Sequence, residues 1–282
     1  SMNTSNRIWL ITGVSGGLGR ALAKEAAMQG EIVYGTLRKP EQISAFNELV
    51  PGKTFGIQLD VNNHRQIKSV IEQIVTLSGR IDVLVNNAGY GLFGAIEELS
   101  MEEARMQMET NFFAVLAMTQ AVLPIMRKQR SGHILQISSM SGLRANSGTG
   151  LYNASKFALE GMSEALALEL QPLNIRLTLV EPGPFRTDWA GTSSVSAKNK
   201  IEDYELSSGA RLRLLQSTSG KQPGDPAKAA KAILLAVNSE HPPLRLLLGK
   251  VALDAIRDKF RTVEEEFSKW EAVSLGTSFD DD

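Results

Sequence analysis

Tyr152 and Lys156 stand four places apart in the stretch "LYNASKFALEG" (151–161). On a helix that spacing makes them neighbours on one surface. A phenol titrates near pH 10 and a lysine ammonium near roughly 10.4. A positive charge beside the phenol favours phenolate, so the pair could form an acid/base working closer to neutral pH. The same spacing also describes an ordinary surface contact. What surrounds the pair decides between the two.

Other chemistry-bearing side chains are sparse. Among 282 residues there is no cysteine, which excludes disulfides and thiolate chemistry and suits a reducing, cytoplasmic compartment. The three histidines, His64, His133 and His241, are scattered without ligand spacing, so no metal site is expected. Thirty basic residues nearly balance 31 acidic ones, which points to neither nucleic acid nor an anionic membrane as partner. No run approaches the roughly 18 apolar residues of a membrane span. The opening "SMNTSNR" lacks the basic and apolar segments of a secretory signal, and Ser1 before Met2 reads as a remnant of tag removal. Asn3 and Asn153 match the N-x-S acceptor pattern by chance.

The elements that must position the pair alternate between short apolar runs and amphipathic segments, the pattern of a parallel sheet covered by helices. Strands are expected at 7–12, 32–37, 54–60, 81–87, 133–139, 175–183 and 244–249. Helices are expected near 18–29, 40–49, 63–78, 101–129, 152–171 and 226–239. Ser100 with Glu103 forms a capping box, and Asp225 before Pro226 reads as an N-cap followed by a first-turn proline. The pattern predicts an α/β fold, one Rossmann-like doubly wound domain over 1–282 with a mostly parallel seven-stranded sheet and helices on both faces. Residues 184–220 carry no strand signal and read as a lid or binding loop. Residues 250–271 look helical and amphipathic, within a C-terminal extension over 250–282.

Directly after the first strand comes "TGVSGGLGR". Gly13, Gly17 and Gly19 allow a tight turn with close backbone approach, and the helix that follows aims bare N–H groups at it. Strand, glycine turn and helix in that order favour a dinucleotide pyrophosphate, with Ser15 and Leu18 in the same turn. Gly13-Val14-Ser15-Gly16-Gly17 also satisfies G-x-S-x-G, the nucleophile elbow of serine hydrolases, with His241 downstream. An elbow on the very first strand and the lack of an HGGG-like segment weigh against it. At the end of the second strand, where NAD sites place an acid, stand Leu37 and then Arg38. A guanidinium can bind a 2′-phosphate that a carboxylate would repel, so NADP(H) is preferred over NAD(H).

Taken in order, "TGVSGGLG", "NNAG" (86–89), "TN" (110–111), "ISS" (137–139), "YNASK" (152–156) and "PG" (182–183) resemble the short-chain dehydrogenase/reductase family over roughly 7–250. "TLR" and "YNASKFALEG" further resemble the branch with 17β-hydroxysteroid and retinol dehydrogenases. The resemblance implies carbonyl–alcohol oxidoreduction with Tyr152 as acid/base and Lys156 as the partner that lowers its pKa and binds the nicotinamide ribose. Ser139, thirteen residues before the tyrosine, would polarise the substrate carbonyl, and Asn111 would hold a water linking Lys156 to solvent. Asp60 and Val61 would meet the adenine, Asn87, Ala88 and Gly89 would line the cofactor, and Pro182, Gly183 and Thr187 would border the nicotinamide. Gly16 departs from the basic residue many NADP-linked members carry, so the cofactor preference rests on Arg38.

Tyr90, Leu92, Phe93, Leu143, Leu151, Phe185 and Trp189 are candidate pocket walls for a lipophilic small-molecule carbonyl or alcohol. A non-catalytic dinucleotide-sensing regulator is the rival from another class, but it would be expected to have lost some of Asn111, Ser139, Tyr152 or Lys156. The family resemblance also implies a homo-oligomer, dimer or tetramer, paired through the helices at 101–129 and 152–171.

Overall fold

The computed structural model describes residues 6–187 and 194–281. Asn3 and Trp189 lie outside the described residues. Nine strands are present among them: β1 (Ile8–Ile11), β2 (Ile32–Leu37), β3 (Thr54–Gln58), β4 (Val83–Asn86), β5 (Gly91–Phe93), β6 (Gly132–Ile137), β7 (Ile175–Pro182), β8 (Ser194–Ser196) and β9 (Arg245–Leu248). Seven of them pair in parallel in the order β3-β2-β1-β4-β6-β7-β9. These are the seven runs expected from the sequence. The helices are α1 (Gly17–Met28), α2 (Ile43–Asn47), α3 (His64–Ser78), α4 (Met101–Met108), α5 (Ala114–Gln129), α6 (Gly150–Leu170), α7 (Ala210–Ser217), α8 (Pro226–Val237), α9 (Lys250–Lys269) and α10 (Glu271–Leu275).

Helices on both sides explain why the strands read as continuous apolar runs rather than alternating ones. Leu10, Leu84, Ile134 and Leu177 enter one core with Ile71 of α3, Val122 of α5 and Leu159 of α6. Trp9, Val85, Leu135 and Val180 enter the other, against Leu22 of α1 and Ile233 of α8. The expected caps form. Ser100 Oγ accepts from Glu103 N at 3.0 Å while the Glu103 carboxylate accepts from Ser100 N at 2.8 Å, and Asp225 accepts from Ala227 N at 2.9 Å.

One expectation needs correction. The stretch at 184–220 is not strand-free: β8 pairs in parallel with β5, and α7 follows. Acids from before and within α4 hold it down, Glu98 accepting from Ile201 N at 2.7 Å and Glu103 from Lys198 N at 3.2 Å. The stretch Met101–Gln129 contains no unbroken apolar run but is, by length and composition, long and apolar enough to cross a membrane, with a mean hydropathy of 1.2 over its best window. Ala114, Val115, Met118, Val122 and Met126 of that stretch are buried in the protein core, as a core helix requires.

The helical extension is anchored at its start. Ala252 and Ile256 are buried, and Lys259 donates to the Leu143 carbonyl at 2.9 Å with its ammonium 5.5 Å from the Phe157 ring centre.

Candidate active site

Because the sheet is parallel, the loops after β1, β4, β6 and β7 all emerge at one edge. The strand order reverses between β1 and β4, the switch point where open α/β sheets bind ligands. The glycine turn leaves β1 there. Gly13 and Gly17 hold φ of +70° and +59°, the left-handed region that favours glycine. A Cβ on Gly19 would stand 2.6 Å from the Gly13 carbonyl oxygen and overlap Asn87 Nδ2, so this glycine permits close packing of turn on helix. Gly16 is different: its backbone is extended and a Cβ would meet nothing within 4 Å. No side chain caps the start of α1, and its first turn holds no acid. The N–H groups at Gly17, Leu18 and Gly19 are therefore available to an anion, which fits a pyrophosphate.

Asn87 and Ala88 lock this turn to β4. Thr12 Oγ1 accepts from both their backbone N–H groups at 2.9 Å, and Asn87 Nδ2 donates to the Thr12 and Gly13 carbonyls at 3.1 and 3.0 Å. Gly13 N in turn donates to Thr36 Oγ1 at 3.1 Å, tying the turn to β2. Sequence reasoning misses Thr12 and Thr36. A threonine at the end of an apolar strand gives no signal until the neighbouring loop is in place. Across the turn, Thr187 Cγ2 lies 3.7 Å from where a Gly17 Cβ would stand, so the loop after β7, with Pro182 and Gly183, closes over the glycines.

At the end of β2, Arg38 is exposed while Leu37 is 3% exposed and packs in the α1 and α8 core. Position 37 therefore faces the interior, and a carboxylate there would be buried. After β3, Val61 is buried beside Thr12 and Ala88, and Asp60 Oδ1 accepts from Asn62 N at 2.9 Å in a turn that starts α3. Gly89 packs on Asn111, whose Oδ1 would stand 2.8 Å from a Cβ there.

Ser139 follows β6, and Tyr152 and Lys156 project from the first turns of α6. The loop between them is pinned by Asn153, whose Nδ2 donates to the Ser141 and Arg144 carbonyls at 2.9 and 3.2 Å. Asn153 is thus a buried structural residue, not a glycosylation acceptor. Tyr152 and Ser139 share a side-chain hydrogen bond. Lys156 Nζ lies 5.8 Å from the Tyr152 ring centre and donates to the Ile137 carbonyl at 2.9 Å. Burial pushes the Tyr152 phenol up to about 12, with the Ser139 hydrogen bond working against that rise. Burial pulls the Lys156 ammonium down to about 8, opposed by the Glu160 carboxylate. Burial is the largest influence on the phenol, and Lys156 and the positive charge of an oxidised nicotinamide are expected to work against it.

Asn111 is buried between Tyr90 and Ser155. It sits in a π-helical turn, Glu109–Phe113, between α4 and α5. Its Nδ2 donates to the Tyr90 carbonyl at 2.9 Å and to Ser155 Oγ at 3.1 Å, and its Oδ1 accepts from Tyr90 N at 3.1 Å. Ser155 Oγ passes the chain on to the Tyr152 carbonyl at 2.7 Å. The side chain thus clamps the 89–91 segment to the base of the tyrosine.

Of the apolar pocket candidates, Leu92 and Phe93 are 1% exposed, because β5 buries them, and Phe185 packs on Gly224. Tyr90, Leu143 and Leu151 remain half-buried at the edge that carries Ser139 and Tyr152. The serine-elbow alternative is not assembled. Ser15 follows β1 at the carboxyl edge of the sheet, whereas His241 precedes β9 at the opposite edge. Its backbone N–H donates to Ser239 Oγ. His133 is buried against Thr178 at 2.9 Å, with burial pulling its imidazole down to about 3, and His64 pairs with Glu109. No group of three His, Cys, Asp or Glu among the described residues is arranged to hold a metal.

Comparison with known proteins agrees with this arrangement. Residues 7–197 match the model of the short chain dehydrogenase family. A 3-ketodihydrosphingosine reductase of Bacteroides thetaiotaomicron is 43% identical over 244 residues, 86% of this chain and 88% of that protein. Human retinol dehydrogenase 8 is 36% identical over 86% of this chain and 82% of its own length. A crystal structure of a short-chain dehydrogenase from Streptomyces avermitilis superposes with a TM-score of 0.92 at 40% identity, covering 98% of this chain and all of that one. The glycine turn, the switch point and the Ser139–Tyr152–Lys156 group thus stand in a chain that belongs to the short-chain dehydrogenase/reductase family, oxidoreductases that act between CH–OH and carbonyl groups.

Proposed function

We propose that the protein is an NADP(H)-dependent oxidoreductase that interconverts a lipophilic ketone or aldehyde with its alcohol, using Tyr152 as acid/base. The observation that carries this reading is the convergence of Ser139, Tyr152 and Lys156 beside the uncapped glycine turn. Gly13, Ser15, Gly17, Leu18 and Gly19 would hold the pyrophosphate, and Arg38 the 2′-phosphate. Asp60 and Val61 would hold the adenine side, and Asn87, Ala88, Gly89, Pro182, Gly183 and Thr187 the nicotinamide side. A bound nicotinamide supplies or accepts the hydride. Ser139 orients the substrate oxygen, Tyr152 gives or takes its proton, and Lys156 stabilises the phenolate electrostatically. Asn111 would help hold a water linking Lys156 to solvent, while its side chain keeps the 89–91 segment and the α6 backbone in register. The half-buried Tyr90, Leu143 and Leu151 supply apolar surface, and two relatives are named for 3-ketodihydrosphingosine and retinol. Turnover with NADPH across a panel of carbonyl compounds tests the reading; a protein that binds NADPH but turns over none would favour the sensing regulator. A cysteine-free chain supports a cytoplasmic setting.

Cofactor preference is tested at Arg38 rather than at the buried Leu37. A charge-assisted hydrogen bond contributes roughly 1.5–3 kcal/mol, and about 1.4 kcal/mol is tenfold in affinity. The wild type should therefore prefer NADP(H) by about 10- to 100-fold, and Arg38→Ala should remove most of that preference while leaving NAD(H) binding and the thermal midpoint in place. Titration of both proteins with both cofactors decides it. Equal affinities in the wild type would sink the assignment.

We further propose a homodimer. Met101, Met106 and Phe113 on the α4–α5 stretch and Phe157 and Leu168 on α6 are large, exposed and apolar. Helices bearing such side chains need a covering surface. Light scattering at micromolar concentration should give twice the chain mass, and a monomer mass would overturn the proposal.

A further inference from the structure

One turn along α6 from Lys156, away from the substrate edge, lies a buried acid cluster that the proposed reaction does not use. Glu160 on α6 is 4% exposed and Glu181, on β7 one residue before Pro182, is 0% exposed. Their carboxyl groups lie within hydrogen-bonding reach of each other. Arg245, at the start of β9, faces both. Its Nε donates to Glu160 Oε1 at 3.2 Å and stands 3.6 Å from Glu181 Oε2, while its Nη2 donates to the exposed Glu164 at 2.8 Å. Gly142, after Ser139, completes the enclosure: a Cβ there would stand 2.5 Å from Ser138 Oγ and 3.2 Å from Glu160 Oε2. Among the described residues, no N–H or O–H donates to Glu160 Oε2 or to either oxygen of Glu181.

Charge counting then matters. Three carboxyl groups, from Glu160, Glu164 and Glu181, face two cations, Arg245 and Lys156. Two ionised carboxylates at hydrogen-bonding distance in a buried site repel strongly, and neither can be left unpaired. One proton between Glu160 and Glu181 removes the repulsion, supplies the missing donor and brings the cluster to neutrality. Burial and the adjoining Glu160 both push the Glu181 carboxyl up, to about 9, against the pull of Arg245. Glu160 in turn opposes the loss of the Lys156 proton that burial favours.

We infer that Glu160 and Glu181 share one proton as a buried carboxyl pair clamped by Arg245, and that the pair acts as the counter-ion that keeps Lys156 an ammonium behind Tyr152. The pair is a set of positioning residues. The shared proton stands on the cluster alone, whereas the effect on Lys156 rests on the acid/base reading of Tyr152 and Lys156.

Glu160→Gln, Glu181→Gln and the double variant of the full chain test both halves. In infrared spectra at neutral pH, the wild type should show the carbonyl stretch of a buried protonated carboxylic acid, and Glu181→Gln should lack it. No such band in the wild type overturns the shared proton. Thermal midpoints provide a second reading. The folded state keeps a proton that the unfolded chain has released, so stability is lost as pH rises from the ordinary carboxylate range toward about 9. Glu181→Gln should flatten that decline, and an unflattened decline counts against the pair.

The counter-ion role shows in the pH profile of alcohol oxidation, which needs phenolate, against carbonyl reduction, which needs the phenol. Glu181→Gln should superimpose on the wild type, Glu160→Gln should move the oxidation profile part of the way to higher pH, and the double variant should move it about one pH unit. That shift lowers oxidation near neutrality about tenfold with reduction unchanged. A uniform loss at every pH in both directions, or a Glu160→Gln profile coincident with the wild type, overturns the role. Should the double variant not fold, the Glu160→Gln profile and the infrared band still decide. If the wild type turns over no carbonyl or alcohol, the proposed function fails while the infrared and thermal results stand on their own.

Discussion

Tyr152→Phe should keep the fold and NADPH affinity while lowering kcat for both reaction directions by about 10²- to 10⁴-fold, the range a positioned general acid/base supplies. Phenylalanine fills the same space in a site only 7% exposed, so no cavity opens. The substitution removes the hydrogen bond with Ser139, and Ser139 Oγ keeps the one it accepts from Ser141 N at 3.0 Å. A thermal midpoint within a degree or two of the wild type is therefore expected, with unchanged NADPH binding. Carbonyl reduction by the wild type should be insensitive to pH across the neutral range, because burial keeps the phenol protonated there. Oxidation should climb with pH as phenolate becomes accessible. Near-normal turnover by Tyr152→Phe on a good substrate would remove the tyrosine from the mechanism.

How far the sequence discloses this site depends on what each residue's neighbours must be. The seven sheet strands are legible because both faces of a parallel sheet are covered, which leaves apolar runs such as "IWLI" and "VLV" at the heart of "RIWLIT" and "IDVLVNN". Ser100, Glu103 and Asp225 are legible because caps are local. β5 and β8 are not, since three residues carry no period and their pairing spans about a hundred positions. Position along the chain puts Leu37 at the ribose edge, but a strand's alternation fixes which side a residue takes. Gly35, two residues before it, packs on Val14 and Phe46, and Leu37 shares that inner face. Asn111 is conspicuous as an amide inside a long helix. That it sits in a π-turn and clamps Tyr90 follows only from three dimensions. Glu160 in "FALEG" and Glu181 in "IRLTLVEPG" carry no local signal of each other. Only their meeting over Arg245 makes them a buried pair.

Lys156→Met should lower alcohol oxidation near neutral pH by about 100-fold and weaken cofactor binding, while carbonyl reduction falls much less. Methionine keeps most of the apolar stem and removes the charge. At the 5.8 Å between Nζ and the ring centre, and an effective dielectric near 20, the ammonium favours phenolate by roughly 3 kcal/mol. That equals about 2 pH units in the tyrosine's titration. Without it, the phenolate must form against the burial that already holds the phenol near 12, so the oxidation profile moves about 2 pH units upward. The fold should survive with a lowered thermal midpoint: burial works against the ammonium in the folded state and no cavity opens, but the substitution breaks the hydrogen bond from Nζ to the Ile137 carbonyl and removes a cation from beside Glu160. Weaker cofactor binding is expected from the second role assigned to Lys156, at the nicotinamide ribose. The two effects separate experimentally, since saturating NADP(H) restores occupancy but not the position of the profile. An oxidation profile at saturating cofactor that keeps its wild-type midpoint would show that the ammonium anchors the cofactor and does not tune the phenol.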